Sequence, residues 1–129
     1  MLVSVFISPD LISDQDPAPP TGPGAGALAE FRGLVRGEEA GRPIAGLIYE
    51  AYQPMAERMA VRILDELSVR HPCISASVRH RTGLVRVGEC AIYIGVAARH
   101  RAEAFALLAD FMDRLNQDVP IWKTDILHA

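Results

Sequence analysis

The sequence has few cysteines, a single lysine and no long apolar run. Its two cysteines, Cys73 and Cys90, are too few for a disulfide scaffold and lack the C-x-x-C spacing of a zinc or redox site, so we expect both to be reduced. The longest apolar runs, Leu2 to Ile7 and Cys90 to Ala98, fall far short of the roughly 20 residues that cross a bilayer. The first residues have no basic or long apolar segment, so no secretory signal is predicted and a cytoplasmic location is expected.

The chain also has no excess of positive charge. Its formal net charge is -3, which argues against a general nucleic-acid binder.

With 129 residues, half of them apolar, the sequence predicts one globular domain over residues 1–129, with a Pro/Gly-rich loop at 14–26. Twelve of the 13 cationic residues are arginine, and the one lysine is Lys123. Lysine is the cation whose pKa can be lowered by burial, so its position is of interest.

The first half of the chain is predicted to be mainly strand. Leu2 to Ile7 is a β-branched and aromatic run, followed by the loop, whose prolines and glycines exclude a helix or a central strand. Ala27 to Arg36 and Ile44 to Tyr52 are two further predicted strands, separated by a turn at 37–43. Their closeness in sequence predicts a hairpin or an adjacent pair.

The second half adds two helices. A helical period begins at Pro54 and is expected to end near His71, before a proline. Two alternating strands follow, Ile74 to Arg81 and Cys90 to Val96, with a short strand between them. A second helix is predicted from Arg99 to Gln117; its apolar face consists of Phe105, Leu108, Phe111, Met112 and Leu115. This order predicts an α+β domain with a mostly antiparallel sheet and two main helices.

No catalytic serine elbow, phosphate loop or zinc motif is present, and the histidines lack metal-ligand spacing, so no metal is assigned. The informative feature is cationic. Arg79-His80-Arg81, Arg99-His100-Arg101 and Arg36 lie at predicted strand ends or a helix start, where anions bind. The alternative for each arginine is a solvated surface residue, for His80 a hydrogen-bonded and partly buried histidine, and for Trp122 a place in the core.

Five motifs follow one another in order from Gly26 to Lys123, over roughly three quarters of the chain. They are Gly26-Ala27 with Phe31-Arg32-Gly33-Leu34-Val35-Arg36, Tyr49-Glu50-Ala51-Tyr52 with Met55-Ala56, His80-Arg81-Thr82-Gly83 with Gly88-Glu89, Val96 to Phe105 with His100-Arg101, and Pro120-Ile121-Trp122-Lys123. In this order and spacing they resemble the catalytic (large) subunit family of molybdopterin synthase.

This resemblance implies a function in molybdenum cofactor biosynthesis. The family is a sulfurtransferase that converts cyclic pyranopterin monophosphate to molybdopterin. The two sulfurs come from the C-terminal Gly-Gly thiocarboxylate of a small ubiquitin-like subunit, within a heterotetramer built on a homodimer. The resemblance also implies an α/β-hammerhead fold and no metal, nucleotide or redox cofactor. It assigns the catalytic position to Lys123 and substrate-binding positions to Leu34, Arg36, His100, Arg101 and Asn116.

Two features depart from the family pattern. Asn116 stands where the family carries a second active-site lysine, and asparagine can donate a hydrogen bond but supplies no charge. The family continues past its Trp-Lys pair, whereas this sequence ends at Ala129. These departures leave open a non-catalytic homologue that keeps the anion site and the docking surface as a binding or regulatory subunit. A further hypothesis, which rests only on the arginine clusters, is an unrelated anion- or nucleotide-binding module.

Overall fold

The computed structural model describes all 129 residues, which form eight strands and two helices. The strands are β1 (Leu2–Ser8), β2 (Ala27–Leu34), β3 (Glu38–Glu39), β4 (Arg42–Ala51), β5 (Ser75–Arg81), β6 (Gly83–Arg86), β7 (Cys90–Ala98) and β8 (Ile121–His128). The helices are α1 (Met55–Arg70) and α2 (Arg101–Asp118). The predicted α+β class is confirmed.

The larger sheet has the strand order β1-β5-β7-β2. β1 pairs parallel with β5, and the other two pairs are antiparallel. Both helices cover one face of this sheet, where Ile94, Val96, Leu64 and Phe111 are almost completely buried in a core of 18 residues. The register of β2 on β7 sets the geometry of the site described below, since Ala27 lies opposite Ala98 and Leu34 opposite Cys90.

A smaller sheet is centred on β4, which pairs antiparallel with β6 on one side and β8 on the other. β3 and β4 form a short hairpin through a two-residue turn at Ala40 and Gly41. Both turn residues have positive φ, 52° and 78°, as expected for the turns that fit the twist of a two-residue hairpin. Five buried residues, including Val35 and Leu47, form its own core.

The Pro/Gly-rich loop contains no helix or strand, as predicted, and lies against the larger sheet. Pro19 is buried beside Gly95. Arg79 donates a hydrogen bond of 2.6 Å to the carbonyl oxygen of Pro17, and the hydroxyl of Ser75 donates to the carbonyl oxygen of Pro20. The loop therefore covers the polar ends of β5 side chains that point away from the helices.

Three expectations from the sequence are wrong. β2 does not pair with β4, which corresponds to the predicted strand Ile44 to Tyr52. β2 pairs with β7 instead, with a register shift after Gly33, and β4 belongs to the smaller sheet. The strand β8 was not expected, and Trp122 within it is 46% exposed instead of lying in the core. Phe105 does not join the buried face of α2 and is 61% exposed.

Candidate functional site

Leu34 and Arg36 lie at one end of the larger sheet. Leu34 is the last residue of β2 and is 59% exposed, and Arg36 follows two residues later with an exposed side chain. The backbone N–H of Val35 between them donates to the carbonyl oxygen of Glu89, which anchors this end to the start of β7. An apolar and a cationic side chain are thus presented together to solvent.

His100 and Arg101 lie at the start of α2, directly after β7. His100 is the N-cap residue, with extended backbone, and its side chain is 70% exposed. Its backbone N–H donates to the carboxylate of Glu103 at 3.2 Å, and its Nδ1 lies 3.6 Å from the same oxygen. A carboxylate in the first turn offsets the unfavourable interaction of cations with the helix dipole, which explains how these cations are tolerated there.

These two groups of cations lie at opposite ends of the same strand pair. Ala27 and Ala98, which pair with each other, are next to His100, whereas Leu34 and Cys90 are at the far end. Eight residues of β-strand extend over roughly 25 Å. One copy of the chain therefore does not bring Arg36 into contact with His100 or Arg101.

Asn116 belongs to the Arg36 end. The helix α2 begins beside the end of β7 and returns antiparallel to it across β2 and β7. Asn116 is 16 residues after His100, so the helix places it roughly 24 Å away, at 1.5 Å for each residue. Its side chain is exposed, close to the end of the helix.

Lys123 lies on β8, where it pairs across the ladder with Tyr49 of β4. Its side chain is 49% exposed, and its Nζ lies 3.5 Å from a carboxylate oxygen of Glu39. Burial raises the pKa of the Tyr49 hydroxyl, and the charge of Glu39 raises it further. Glu39 is only three residues after Arg36, so Lys123, Arg36 and Leu34 share one end of the molecule.

The cluster Arg79-His80-Arg81 supports the fold. Arg79 is tied to the loop, and Arg81 is buried with its guanidinium 3.0 Å from Glu89 and 3.1 Å from the carbonyl oxygen of Leu84. His80 is buried, and its Nδ1 donates to the carbonyl oxygen of Arg81 at 2.8 Å. Burial lowers the pKa of His80. The interpretation of His80 as a hydrogen-bonded, buried histidine is confirmed.

A cavity of about 600 Å³ opens between the loop and the ends of β2 and β7. Leu34 lines it together with two arginines, Arg32 and Arg81, each of which faces a carboxylate, Asp14 at 3.6 Å and Glu89 at 3.0 Å. The charges inside the cavity are therefore already paired, whereas Arg36 and Arg101 lie outside it and make no ion pair. No three His, Cys, Asp or Glu side chains are grouped to hold a metal ion, and neither helix could span a membrane.

Sequence reasoning missed Glu39 and Tyr49 as neighbours of Lys123. The turn at 37–43 was recognised, but nothing in it showed that β8 would pair with β4 and bring Lys123 alongside. The signal that could have found Glu39 is Ala40-Gly41, a two-residue turn that makes the preceding residue a strand residue.

The fold and the exposed side chains together describe an α+β domain with exposed arginines, Arg36 and Arg101, at opposite ends of one strand pair. A family model described as MoaE protein matches residues 9–118. The molybdopterin synthase catalytic subunit of Thermoplasma volcanium is 40% identical over 105 residues, covering 81% of this chain and 77% of that protein. The subunit of the same name from Pyrococcus abyssi is 42% identical over 101 residues, covering 78% and 68%.

A solved structure agrees with these relatives. The X-ray crystal structure of molybdopterin synthase from Staphylococcus aureus is similar with a TM-score of 0.78 and 30% identity, covering 97% of this chain and 90% of that chain. The chain belongs to the MoaE family. The resemblance found in the sequence motifs is thereby confirmed.

Proposed function

We propose that this chain is the catalytic subunit of a molybdopterin synthase, which converts cyclic pyranopterin monophosphate to molybdopterin. The observation that carries the proposal is the position of Lys123, the only lysine of the chain, exposed at the same end as Arg36. Relatives that are named catalytic subunits favour an enzyme over a non-catalytic homologue. The hypothesis of an unrelated anion- or nucleotide-binding module is disfavoured, because membership of the family explains the ordered motifs and this hypothesis does not.

In this proposal the sulfur donor is the thiocarboxylate at the Gly-Gly terminus of a small ubiquitin-like subunit. The thiocarboxylate sulfur forms a bond to a carbon of the pterin side chain and displaces an oxygen substituent of that carbon; water then adds to the acyl carbon, breaks its bond to sulfur and leaves a carboxylate on the partner. Negative charge develops on the acyl oxygen when water adds, and the ammonium group of Lys123 can stabilise it. Asn116 can donate a hydrogen bond to the same oxygen, although it cannot supply charge.

The substrate phosphate is assigned to Arg36, His100 and Arg101. Arginine holds phosphate oxygens through two parallel hydrogen bonds, and the imidazole of His100 at the helix start can donate one more. Leu34 would contribute apolar contact with the pterin. Because the two groups of cations are roughly 25 Å apart in one chain, they can hold one phosphate only if two copies share the site.

A homodimer provides such a shared site. In a two-fold pair each surface patch meets the same patch of its partner, so the Arg36 end of one copy can meet the His100 end of the other. β2 is an edge strand with one free side, and three apolar side chains on β2 and α2, Leu28, Leu34 and Phe105, are exposed. These features support a dimer contact along β2 and α2, with one small subunit at each end.

The test is a reconstituted reaction with the thiocarboxylated small subunit and cyclic pyranopterin monophosphate, in which the dithiolene product is measured. We expect product with the wild-type chain and at least a hundredfold less with Lys123→Ala, the scale of losing one charged group at the reacting centre. Lys123→Arg is the matched control, because it keeps the positive charge and should therefore retain more activity than Lys123→Ala. Asn116→Lys tests the non-catalytic alternative: activity that appears only in this variant would overturn the proposal.

A further inference from the structure

The hairpin of β3 and β4 holds a carboxylate against the proposed catalytic lysine. Its turn places Ala40 at a φ of 52°, a left-handed conformation that is unfavourable for alanine, and Gly41 at 78°. Glu39 precedes this turn and pairs across the ladder with Arg42. The tight turn that directly follows Glu39 therefore contains a non-glycine residue in a left-handed conformation.

Lys123 makes one ion pair, and its partner is Glu39. The two side chains belong to residues 84 positions apart, and 3.5 Å separates the carboxylate oxygen from Nζ. Glu39 is the less exposed partner, at 29% against 49% for Lys123. The pKa of Tyr49, the ladder partner of Lys123, is raised by burial and further by the charge of Glu39, so the carboxylate lies near this strand pair. The neighbouring Glu38 is exposed and makes no ion pair.

We propose that Glu39 tunes the affinity of Lys123 for the C-terminal anion of the small subunit, by competing with that anion for the ammonium group. This inference rests on the proposed function, because it assumes that the tail reaches Lys123. A tail carboxylate or thiocarboxylate that approaches Nζ must share it with Glu39 or displace Glu39. Since both partners are partly solvated, the carboxylate weakens tail binding by a modest factor and does not block it.

The substitution Glu39→Gln removes the competing charge and keeps the shape of the side chain. We expect it to tighten binding of the small subunit, with its ordinary Gly-Gly carboxylate terminus, by about two- to fivefold, the range measured for exposed ion pairs. Glu38→Gln is the matched control, because it removes the same charge from the adjacent residue of the same two-residue strand. We expect its dissociation constant to equal that of the wild type.

Titration calorimetry with two forms of the small subunit separates a charge effect from a structural one. With a C-terminal carboxamide in place of the carboxylate, Glu39→Gln and Glu38→Gln should bind equally. The advantage of Glu39→Gln on the carboxylate form should also shrink towards none at 1 M salt, where the screening length is about 3 Å. A purely structural role of Glu39 would change the affinity for both forms alike.

The inference is overturned if Glu39→Gln binds the carboxylate form no more tightly than Glu38→Gln, or if its advantage persists with the carboxamide. Neither result would bear on catalysis, which the reconstituted reaction measures separately through Lys123→Ala. An absence of dithiolene product together with tighter binding by Glu39→Gln would refute the proposed activity and leave the competition intact.

Discussion

Replacing Gly26 by alanine should destabilise the fold at the His100 end. Gly26 lies just before β2, and its N–H donates to the carbonyl oxygen of Ala98 at 3.0 Å. A β-carbon at this position would collide with the carbonyl oxygen of Arg99, which is backbone and cannot rotate away. Overpacking of this kind costs about 1–3 kcal/mol. For a chain of this length we expect Tm to fall by roughly 3–10 °C.

Gly24→Ala is the control for this prediction. It lies in the same loop, and an added β-carbon would meet no atom within 4 Å. We expect its free energy of unfolding to change by less than about 0.5 kcal/mol, as for other surface substitutions. Thermal unfolding followed by circular dichroism compares the two. Equal Tm values for the two variants would contradict this prediction, because they would show that the backbone at Arg99 moves aside without a cost in stability.

Three further predictions concern stability. Burial lowers the pKa of His80 below its ordinary 6.5, so on acidification the unfolded chain takes up the proton first and stability declines as pH falls below 6.5. Between pH 7 and 5 the denaturant midpoint of His80→Asn should therefore decline less than that of the wild type. An equal decline in the two proteins would contradict this prediction. Gly41→Ala should cost about 1–2 kcal/mol in urea unfolding, because its φ of 78° strains any side chain although no atom lies within 4 Å; an unchanged midpoint would show that the hairpin relaxes. Phe111→Ala should cost about 3–5 kcal/mol in the same assay, since Phe111 is completely buried, and a loss below 1 kcal/mol would contradict the assigned core.

The sequence predicted the helices well because their apolar period is long. α1 ends one residue before the expected His71, and α2 ends one residue after the expected Gln117. The strands β5 and β7 were also predicted, because apolar and polar residues alternate clearly along the predicted segments. β8 was missed because most of its side chains are exposed, so only Ile121 and Ile126 are partly buried and no alternation is visible.

Strand pairing was less predictable than strand position. β2 and β4 are neighbours in sequence, but β2 pairs with β7, more than 50 residues later. Local patterns contain no information on such distant partners, and the pairing of β2 with β7 ends at a register shift after Gly33, beyond which the chain continues into the second sheet. The pairing of β8 with β4, which brings Lys123 to Glu39, is equally non-local.

The candidate site shows the same limit. The motifs predicted Arg36, His100 and Arg101 as substrate-binding residues, and all three are exposed, but the linear sequence did not show that the sheet holds Arg36 far from His100 and Arg101. Lys123 was singled out as the only lysine, whereas its carboxylate neighbour came from the structure alone. Residue types can suggest chemistry, and only the topology decides which of them meet within one chain.

Mixing two variants tests the proposed shared site most directly. If the site is shared as proposed, Arg36→Ala and His100→Ala should each disable both sites of their own homodimer, whereas a mixed dimer contains one site with both residues intact. If subunits exchange at random, half the dimers are mixed, so dithiolene formation should recover to about a quarter of the wild-type rate. Arg36→Ala mixed with Lys123→Ala is the control and should recover nothing, because both residues lie at the same end of one chain. If subunit exchange is demonstrated and the first mixture still recovers no activity, the two copies do not share a site as proposed.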